Sequence, residues 1–338
     1  MSGGVDSSTT AALLIEQGFD VFGITLILSP ENAGNSGFLE SVQQVANGLQ
    51  IELKVLDFRK QFEKEVIGNF IGSYEKGETP NPCVVCNKTI KFGLLLEEAT
   101  KLGANLLATG HYARISEKDS IFKLLKGIDP TKDQSYFLYQ LNQRQLAKVV
   151  FPLGTYCKKD VRDLARQYKI PVADKKESQD LCFIGDGDYR GFYQQYSSVL
   201  LESGPIKDLS EATLGRHKGL FNYTVGQRRG LGVSAGEPVY VVKLDVPNNT
   251  LYVAKNSERG KKRLLAYRVN YISGITPEKE FSAGVKIRYT AKEIEATIQP
   301  EAADSVLVEF PHALPDITPG QSVVFFQGDE VIGGGIIK

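Results

Sequence analysis

Residues Ser2-Gly3-Gly4-Val5-Asp6-Ser7-Ser8 have the composition of an anion cradle. Paired glycines let a backbone pass close to a phosphate, and serine hydroxyls add donors. The helix expected from Ala11, Ala12, Leu13 and Leu14 would present unpaired N–H groups and the positive end of its dipole. The Lys of the Walker A pattern is absent, so a γ-phosphate-transferring loop is a poor match. The plain alternative is a Gly-Ser turn that only caps a helix. Thiol chemistry is the second theme. Cys83 and Cys86 form a CxxC after the turn-rich stretch 77–82, and Cys182 lies 182 − 86 = 96 residues beyond Cys86, so only the fold can join them. A lone CxxC is compatible with half a zinc site, a redox pair or two packed thiols. Cys157, beside Tyr156 and before a helical run, reads as a structural thiol. Four cysteines are too few for a disulfide framework in 338 residues, and a reducing compartment would keep them as thiols.

The elements that must position these groups follow from the apolar pattern. Residues 21–28 are a nearly unbroken apolar run, as in a strand covered on both faces. Phe38, Val42, Val45, Ala46 and Leu49 then recur at helical spacing, 52–56 reads as a strand, 62–74 as a helix and 105–109 as a short strand. This alternation predicts an α/β domain with a doubly wound parallel sheet, whose ligands sit beyond the carboxyl ends of its strands. After about residue 196 glycine and proline become frequent, and short alternating runs at 239–244 and 251–254 predict a small β-rich module. Runs at 285–290, 305–310, 322–326 and 331–337 predict a C-terminal β-barrel. The expected division is 1–198, 199–262 and 263–338, in keeping with a length above that of one core.

Apolar residues make up 42% and charged residues 24%, values that exclude wholesale disorder, collagen and coiled coil. No apolar run approaches the roughly 18 to 20 residues that span a bilayer, and no basic-then-apolar leader follows Met1, so a cytoplasmic protein without membrane contact is expected. Forty basic residues balance forty acidic ones, so a polyanion would have to be met by local patches. Residues 213–235 hold Arg216, Lys218, Arg228 and Arg229 and no acid; Lys255, Arg259, Lys261, Lys262, Arg263 and Arg268 form a second group against Glu258 alone. Such clusters can neutralise phosphates, or can be ordinary solvated charge.

SGGVDSS resembles the pyrophosphate loop of the ATP pyrophosphatase superfamily, whose fold is adenine nucleotide alpha hydrolase-like and whose members cleave ATP between the α and β phosphates. The segments NPCVVCNKTIKFG, ATGHYARI, DPTKDQSYFLYQL, ESQDLCFIGDGDY and YTVGQRRGLG, with VEFPHALPDITPGQSVVFF and GGGII near the end, are similar to the tRNA-specific 2-thiouridylase family over essentially the whole chain. The resemblance implies ATP contacts at Ser2, Gly3, Gly4, Val5, Asp6, Ser7, Ser8, Leu26 and Gly110, with Asp6 holding Mg²⁺ on the nucleotide. Only Met1 precedes the loop, so a first strand of about ten upstream residues is expected to complete the domain.

The family's activity implies that the C2 oxygen of the wobble uridine is adenylated with release of pyrophosphate, and that sulfur carried as a persulfide on Cys182 then displaces AMP. Cys86 would either release that sulfur by closing a transient Cys86–Cys182 disulfide or assist its direct attack. Cys83 stands where many relatives have Asp. Cys83, Cys86 and Cys182 could instead hold an iron–sulfur cluster. The implied tRNA contacts are Asn81, Lys88, Lys91, Lys132, Asp133 and Gln134 near the cleft, with Tyr223, Gln227, Arg228 and Arg229 in the middle module. Implied partners are the Lys, Glu and Gln isoacceptor tRNAs and a sulfur donor, either a cysteine desulfurase or a relay protein. The base would be turned out of its stack to react. His111 could act as acid or base or pack a loop, and no catalytic role is assigned to it. The competing readings are an amidating synthetase of the same superfamily, which leaves the cysteines unexplained, and a tRNA-binding paralogue without turnover.

Overall fold

The computed structural model describes residues 1–29, 36–175, 181–184, 189–197, 202–234, 236–302 and 304–338. Most of the ESQDLCFIGDGDY segment falls at 176–180 and 185–188, outside the described residues. Helix α1 (Val5–Glu16) follows the glycine loop directly, with Gly4 as an extended N-cap. Its first turns are buried although they are rich in hydroxyls, because the hydroxyls bond back into the helix: Ser8 to Gly4 O, Thr9 to Val5 O and Thr10 to Asp6 O, at 2.8 to 2.9 Å.

Strand β1 (Gly23–Ile27) leads through α2 (Ser36–Gly48) to its parallel partner β2 (Leu53–Asp57). Two composite helices follow. The first, α3, runs Arg59–Phe62, Glu63–Ile67 and Gly68–Tyr74; the second, α4, runs Pro82–Cys86, Asn87–Leu95 and Leu96–Lys101, each with a π-helical middle segment. Strand β3 (Leu107–Ala108) later pairs in parallel with β6 (Val149–Val150). The parallel architecture is thus present as two strand pairs rather than one continuous sheet. Met1 donates its amino group to Ile24 O, on the edge of β1 that faces away from β2.

Between β3 and β6 the chain departs from α/β alternation. Strands β4 (Ala113–Lys118) and β5 (Ile121–Lys126) form an antiparallel hairpin that the sequence reading did not anticipate. Its two turn residues, Asp119 and Ser120, both have positive φ (54° and 62°), the conformation of a two-residue hairpin turn. The next helices are the short Gln143–Leu146 turn, then α5 (Lys158–Gln167) and α6 (Tyr189–Tyr196).

The middle module is a four-stranded sheet in the order β8 (Thr213–Arg216), β7 (Pro205–Lys207), β10 (Thr250–Lys255), β9 (Val239–Asp245). The last segment is a closed barrel of β11 (Lys261–Tyr271), β14 (Ser305–Leu314), β13 (Ile294–Ala302), β12 (Phe281–Lys286), β15 (Ser322–Gln327) and β16 (Glu330–Ile337), shut by pairing of β11 with β16. Strand β12 ends earlier than the expected 285–290. Its inward residues Ala283 and Val285 fill the barrel, and then Arg288 turns away to bond Val225 O at 2.8 Å and the Thr318 hydroxyl.

The hairpin docks the first domain onto the barrel. Strand β5 adds to β16 through Leu125–Glu330 and Leu124–Val331, and Arg114–Asp329, Lys123–Glu330 and Lys126–Glu293 ion pairs flank the seam. The glycines of GGGII have a steric reason there. A Cβ on Gly334 would lie 2.4 Å from Val323 O and 2.8 Å from the ring of Tyr139, and one on Gly333 would lie 2.2 Å from Asn270 O. Asn270 donates to Tyr139 O (2.7 Å) and Leu141 O (3.0 Å), so the loop after the hairpin is held by the barrel from two sides.

Candidate active site

The nucleotide end is built from α1 and the loop after β3. Gly3 has φ +65°, a conformation that favours glycine, and Gly4 offers no side-chain cap to the first N–H groups of α1. Ser2 and Ser7 tie the loop across itself: Ser2 N donates to Ser7 Oγ at 3.1 Å, and the two hydroxyls lie 3.1 Å apart. Lys175 Nζ donates to Gly3 O at 3.1 Å. Gly110 rests against this loop, and a Cβ there would lie 2.9 Å from the Asp6 backbone carbon and 3.0 Å from Ser7 N. Leu26, on the carboxyl half of β1, packs its side chain on the main core.

Asp6 accepts three hydrogen bonds from two donors: Tyr112 Oη at 2.7 Å, and Lys158 Nζ at 2.7 and 2.8 Å to its two oxygens. Neither partner was expected from the sequence. Tyr112 belongs to the ATGHY segment, but nothing local to Lys158, the first residue of α5, announces its role. The loop's amides, the Gly110 contact and a carboxylate beside them fit a nucleotide that carries a divalent ion.

The sulfur end lies on α4. Pro82 opens the helix at a position where its missing N–H is no loss, and the segment after Cys86 is π-helical over Asn87–Leu95, a form often found at functional sites. Cys86 is buried. Cys83 and Cys182 are accessible but have enough protein around them for burial to raise their thiols. Burial pushes Cys86 up to about 11. Lys91 opposes that rise at all three thiols, and the charge that Cys182 would carry raises both Cys83 and Cys86 further. Across 96 residues of sequence, the fold therefore brings Cys182 into the same electrostatic neighbourhood as the CxxC. All four cysteines are free thiols.

The iron–sulfur alternative gains no support. Among the described residues no three His, Cys, Asp or Glu side chains converge as an ion-binding group.

His111 joins the two ends. It follows Gly110, is buried between Phe92 and Phe151, and has Nδ1 2.8 Å from Thr109 Oγ1 and Nε2 3.5 Å from Lys91 Nζ. Burial, then the Lys91 charge, holds its pKa well below the usual histidine value, so it is a neutral link at physiological pH. Close contacts thus link Asp6 and Ser7 through Gly110 and His111 to Lys91, whose charge acts on the three thiols.

The residues expected to meet RNA divide. Lys88 is exposed, with Nζ 3.0 Å from Gln140 Oε1, and burial followed by the charge of Arg268 lowers its pKa. Arg268 is exposed on β11 with φ +51°, a conformation that costs a non-glycine residue energy. Asn81 occupies the N-cap position of α4 without a side-chain cap bond, and Lys132 is half-buried. Asp133 is turned inward: its oxygens accept from Gly127 N, Ser135 N and Ser135 Oγ at 3.0 to 3.1 Å, leaving it a loop-forming role. Gln134 clamps the same loop to Tyr112 by two bonds, of 3.0 and 2.8 Å.

In the middle module Tyr223 is buried in the sheet core, with its hydroxyl accepting from Lys218 N, so its ring has no face for a base. Gln227 is spent on Thr224 N and Arg229 O. Arg228 and Arg229 are exposed and have no acidic partner among the described residues. Half of the second basic group is neutralised: Lys255 pairs with Glu237, Arg259 with Asp316 and Arg263 with Glu309.

Comparison with known proteins agrees with this layout. A family model described as tRNA methyl transferase HUP domain matches residues 1–186, one described as tRNA methyl transferase PRC-barrel domain matches 190–255, and one described as Aminomethyltransferase beta-barrel domain matches 261–337. The chain is 47% identical to tRNA-specific 2-thiouridylase MnmA 2 of Thermoanaerobacter sp. (strain X514) over 350 residues, covering 100% of this chain and 96% of the relative. It is likewise 47% identical to tRNA-specific 2-thiouridylase MnmA of Syntrophomonas wolfei subsp. wolfei over 339 residues and of Moorella thermoacetica over 350, in both cases across 100% of this chain and 98% of the relative. With three consecutive family models and full-length identity at this level, the chain belongs to the tRNA-specific 2-thiouridylase family.

Proposed function

We propose that the protein is an ATP-dependent sulfurtransferase that converts the wobble uridine of tRNA to 2-thiouridine. The observation that carries this reading is the contiguity of the two half-sites. Gly110 touches the Asp6–Ser7 backbone, and His111, the next residue, reaches Lys91, which acts on Cys83, Cys86 and Cys182.

The amide groups of the loop and the start of α1 bind the phosphates and turn the α-phosphorus toward the flipped base. Attack by the uridine C2 oxygen expels pyrophosphate and leaves the oxygen as an AMP ester, a far better leaving group than a carbonyl oxygen. Mg²⁺, when bound, neutralises charge on the departing pyrophosphate, with Asp6 as its protein ligand.

Sulfur then comes from a persulfide on Cys182. In the two-thiol route, the Cys86 thiolate attacks Cys182 Sγ, a Cys86–Cys182 disulfide forms, and the released hydrosulfide attacks C2 and expels AMP; an external thiol must then reduce the disulfide. In the direct route the terminal persulfide sulfur attacks C2 and expels AMP, and the Cys86 thiolate then attacks Cys182 Sγ, which breaks the S–S bond, leaves the sulfur on C2 and closes a Cys86–Cys182 disulfide that an external thiol again reduces. Lys91 favours the anionic sulfur in both routes. The exposed Arg228 and Arg229 support phosphate contacts by the middle module, with Lys88 and Lys91 nearer the reacting base. Isoacceptor tRNAs for Lys, Glu and Gln, and a desulfurase or relay protein as donor, complete the reading.

The decisive test is incubation of unmodified tRNA with the protein, ATP, Mg²⁺ and a persulfide source, followed by nucleoside mass spectrometry. Appearance of 2-thiouridine with one AMP per sulfur is expected, and Cys182→Ala should abolish it while tRNA binding persists. Thiolation that survives Cys182→Ala rejects the assigned sulfur carrier. Pyrophosphate release driven by a small carboxylate and ammonia, without tRNA, rejects the reading altogether.

A further inference from the structure

The Asp6 carboxylate already has a cation. The Lys158 ammonium spans both Asp6 oxygens at 2.7 and 2.8 Å, and Tyr112 Oη adds a third bond at 2.7 Å. The pair is shielded: the Lys158 side chain is 11% exposed and that of Asp6 32%. The base of Lys158 is anchored, because its N–H donates to Asp129 Oδ2 at 2.9 Å. Asp129 is itself held by Thr131 N and Oγ1 at 2.9 and 2.7 Å. The backbone of Lys158 is therefore fixed while its four-carbon stem can pivot.

A single carboxylate is a weak magnesium site by itself, since this ion is usually held by one or two carboxylates together with substrate phosphates. With an ammonium across both oxygens and the Tyr112 hydroxyl on Oδ1, it offers a dication no net charge and only one open lone pair, on Oδ2. We propose that Lys158 is a resident counter-ion that closes Asp6 to divalent metal until nucleotide arrives. The metal carried on the nucleotide phosphates then displaces the ammonium from Asp6, and the ammonium pivots onto the phosphate oxygens. Nucleotide and metal are thereby admitted together. This inference rests on the ATP reading above.

The test measures Mn²⁺ binding through the electron paramagnetic resonance signal of the free ion, with and without ATP, in the full-length protein, Lys158→Met, Lys158→Arg and the double variant Asp6→Asn/Lys158→Met. Without nucleotide, Lys158→Met should bind Mn²⁺ about tenfold more tightly than the unaltered protein, a coupling of ordinary size between two ligands of one site. The double variant should lose that gain, and Lys158→Arg should behave as the unaltered protein. ATP should tighten Mn²⁺ binding more in the unaltered protein than in Lys158→Met.

Equal Mn²⁺ affinity of Lys158→Met and the unaltered protein overturns the proposal, as does a gain that survives in the double variant. Should Lys158→Met unfold, the unaltered protein still decides: nucleotide-independent Mn²⁺ binding that Asp6→Asn removes overturns the proposal, and its absence supports it. An unaltered protein that binds no ATP at any Mn²⁺ concentration rejects the ATP reading instead, while the nucleotide-free comparison continues to judge Lys158.

Discussion

Lys91→Met keeps the length and apolar stem of the side chain but removes a cation that acts on Cys83, Cys86 and Cys182 together. Cys86 has a pKa of about 11, so at a pH three units lower about one molecule in a thousand carries its thiolate. Two unit charges in close contact, about 4 Å apart at an effective dielectric of about 20, interact by about 4 kcal/mol, or about three pH units, which is an upper bound for any such pair. Lys91 is half-buried, so solvent screening reduces this to about one unit. The variant should therefore carry about tenfold less Cys86 thiolate at any given pH, with Cys83 and Cys182 changed in the same direction.

Competitive alkylation with isotopically paired iodoacetamides between about pH 7 and 10, read peptide by peptide, measures this directly. The Cys86 and Cys182 rates should fall while that of Cys157, the N-cap of α5, serves as internal reference. Single-turnover thiolation should fall in parallel and recover as pH is raised. Unchanged alkylation of Cys86 and Cys182 in Lys91→Met would refute the claim that this lysine poises the sulfur chemistry, and an equal fall at Cys157 would show a general effect on reactivity.

Gly110→Ala places a Cβ 2.9 Å from the Asp6 backbone; overpacking there should cost about 1–3 kcal/mol in urea unfolding, and ATP affinity should fall far more than tRNA affinity. Gly334→Ala, which meets Val323 O at 2.4 Å and the Tyr139 ring at 2.8 Å, should destabilise the barrel and its contact with the loop after the hairpin by a similar amount, detectable as earlier proteolysis. Arg228→Ala/Arg229→Ala should weaken tRNA binding in filter assays and lower the steepness of its salt dependence by about one to two counterions, with ATP binding unchanged. Folded His111 resists protonation, whereas the unfolded chain takes up that proton near the ordinary value of 6.5. Its contribution to stability is therefore complete above pH 6.5 and is lost as pH falls toward the depressed folded value, by about 1.4 kcal/mol per pH unit. His111→Gln should flatten that part of a stability–pH curve measured by urea unfolding.

The chain by itself points to local chemistry. The glycine-serine loop predicts a phosphate site because φ-permissive residues followed by a helix start suit an anion. The apolar run at 21–28, the helical spacing after Phe38 and the short alternating runs of the barrel each specify an element through one face to be buried, and these elements appear within a few residues of expectation. The boundaries of the barrel strands were less legible. Strand β12 stops short because Arg288 finds a carbonyl in another module, a contact with no local signal. The β4–β5 hairpin was hidden for a related reason: its strands are stabilised by β16, some two hundred residues further along the chain.

Motif resemblance named candidate RNA contacts but could not tell which of them turn outward. Tyr223 and Asp133 turn inward because nearby backbone groups and core side chains claim them, whereas Arg228 and Arg229 are left to solvent. The basic run at 255–268 looked like one field, yet its acids, Glu237, Glu309 and Asp316, arrive from distant strands and loops. Composition fixes how much charge exists, and tertiary packing decides which of it remains uncancelled. The same holds for reactivity. Residue type supplies a thiol at 86, a lysine at 91 and an aspartate at 6, but ionisation depends on dielectric and on charges a few ångströms away. Only folding sets those distances, by bringing Cys182 to Lys91 and Lys158 to Asp6.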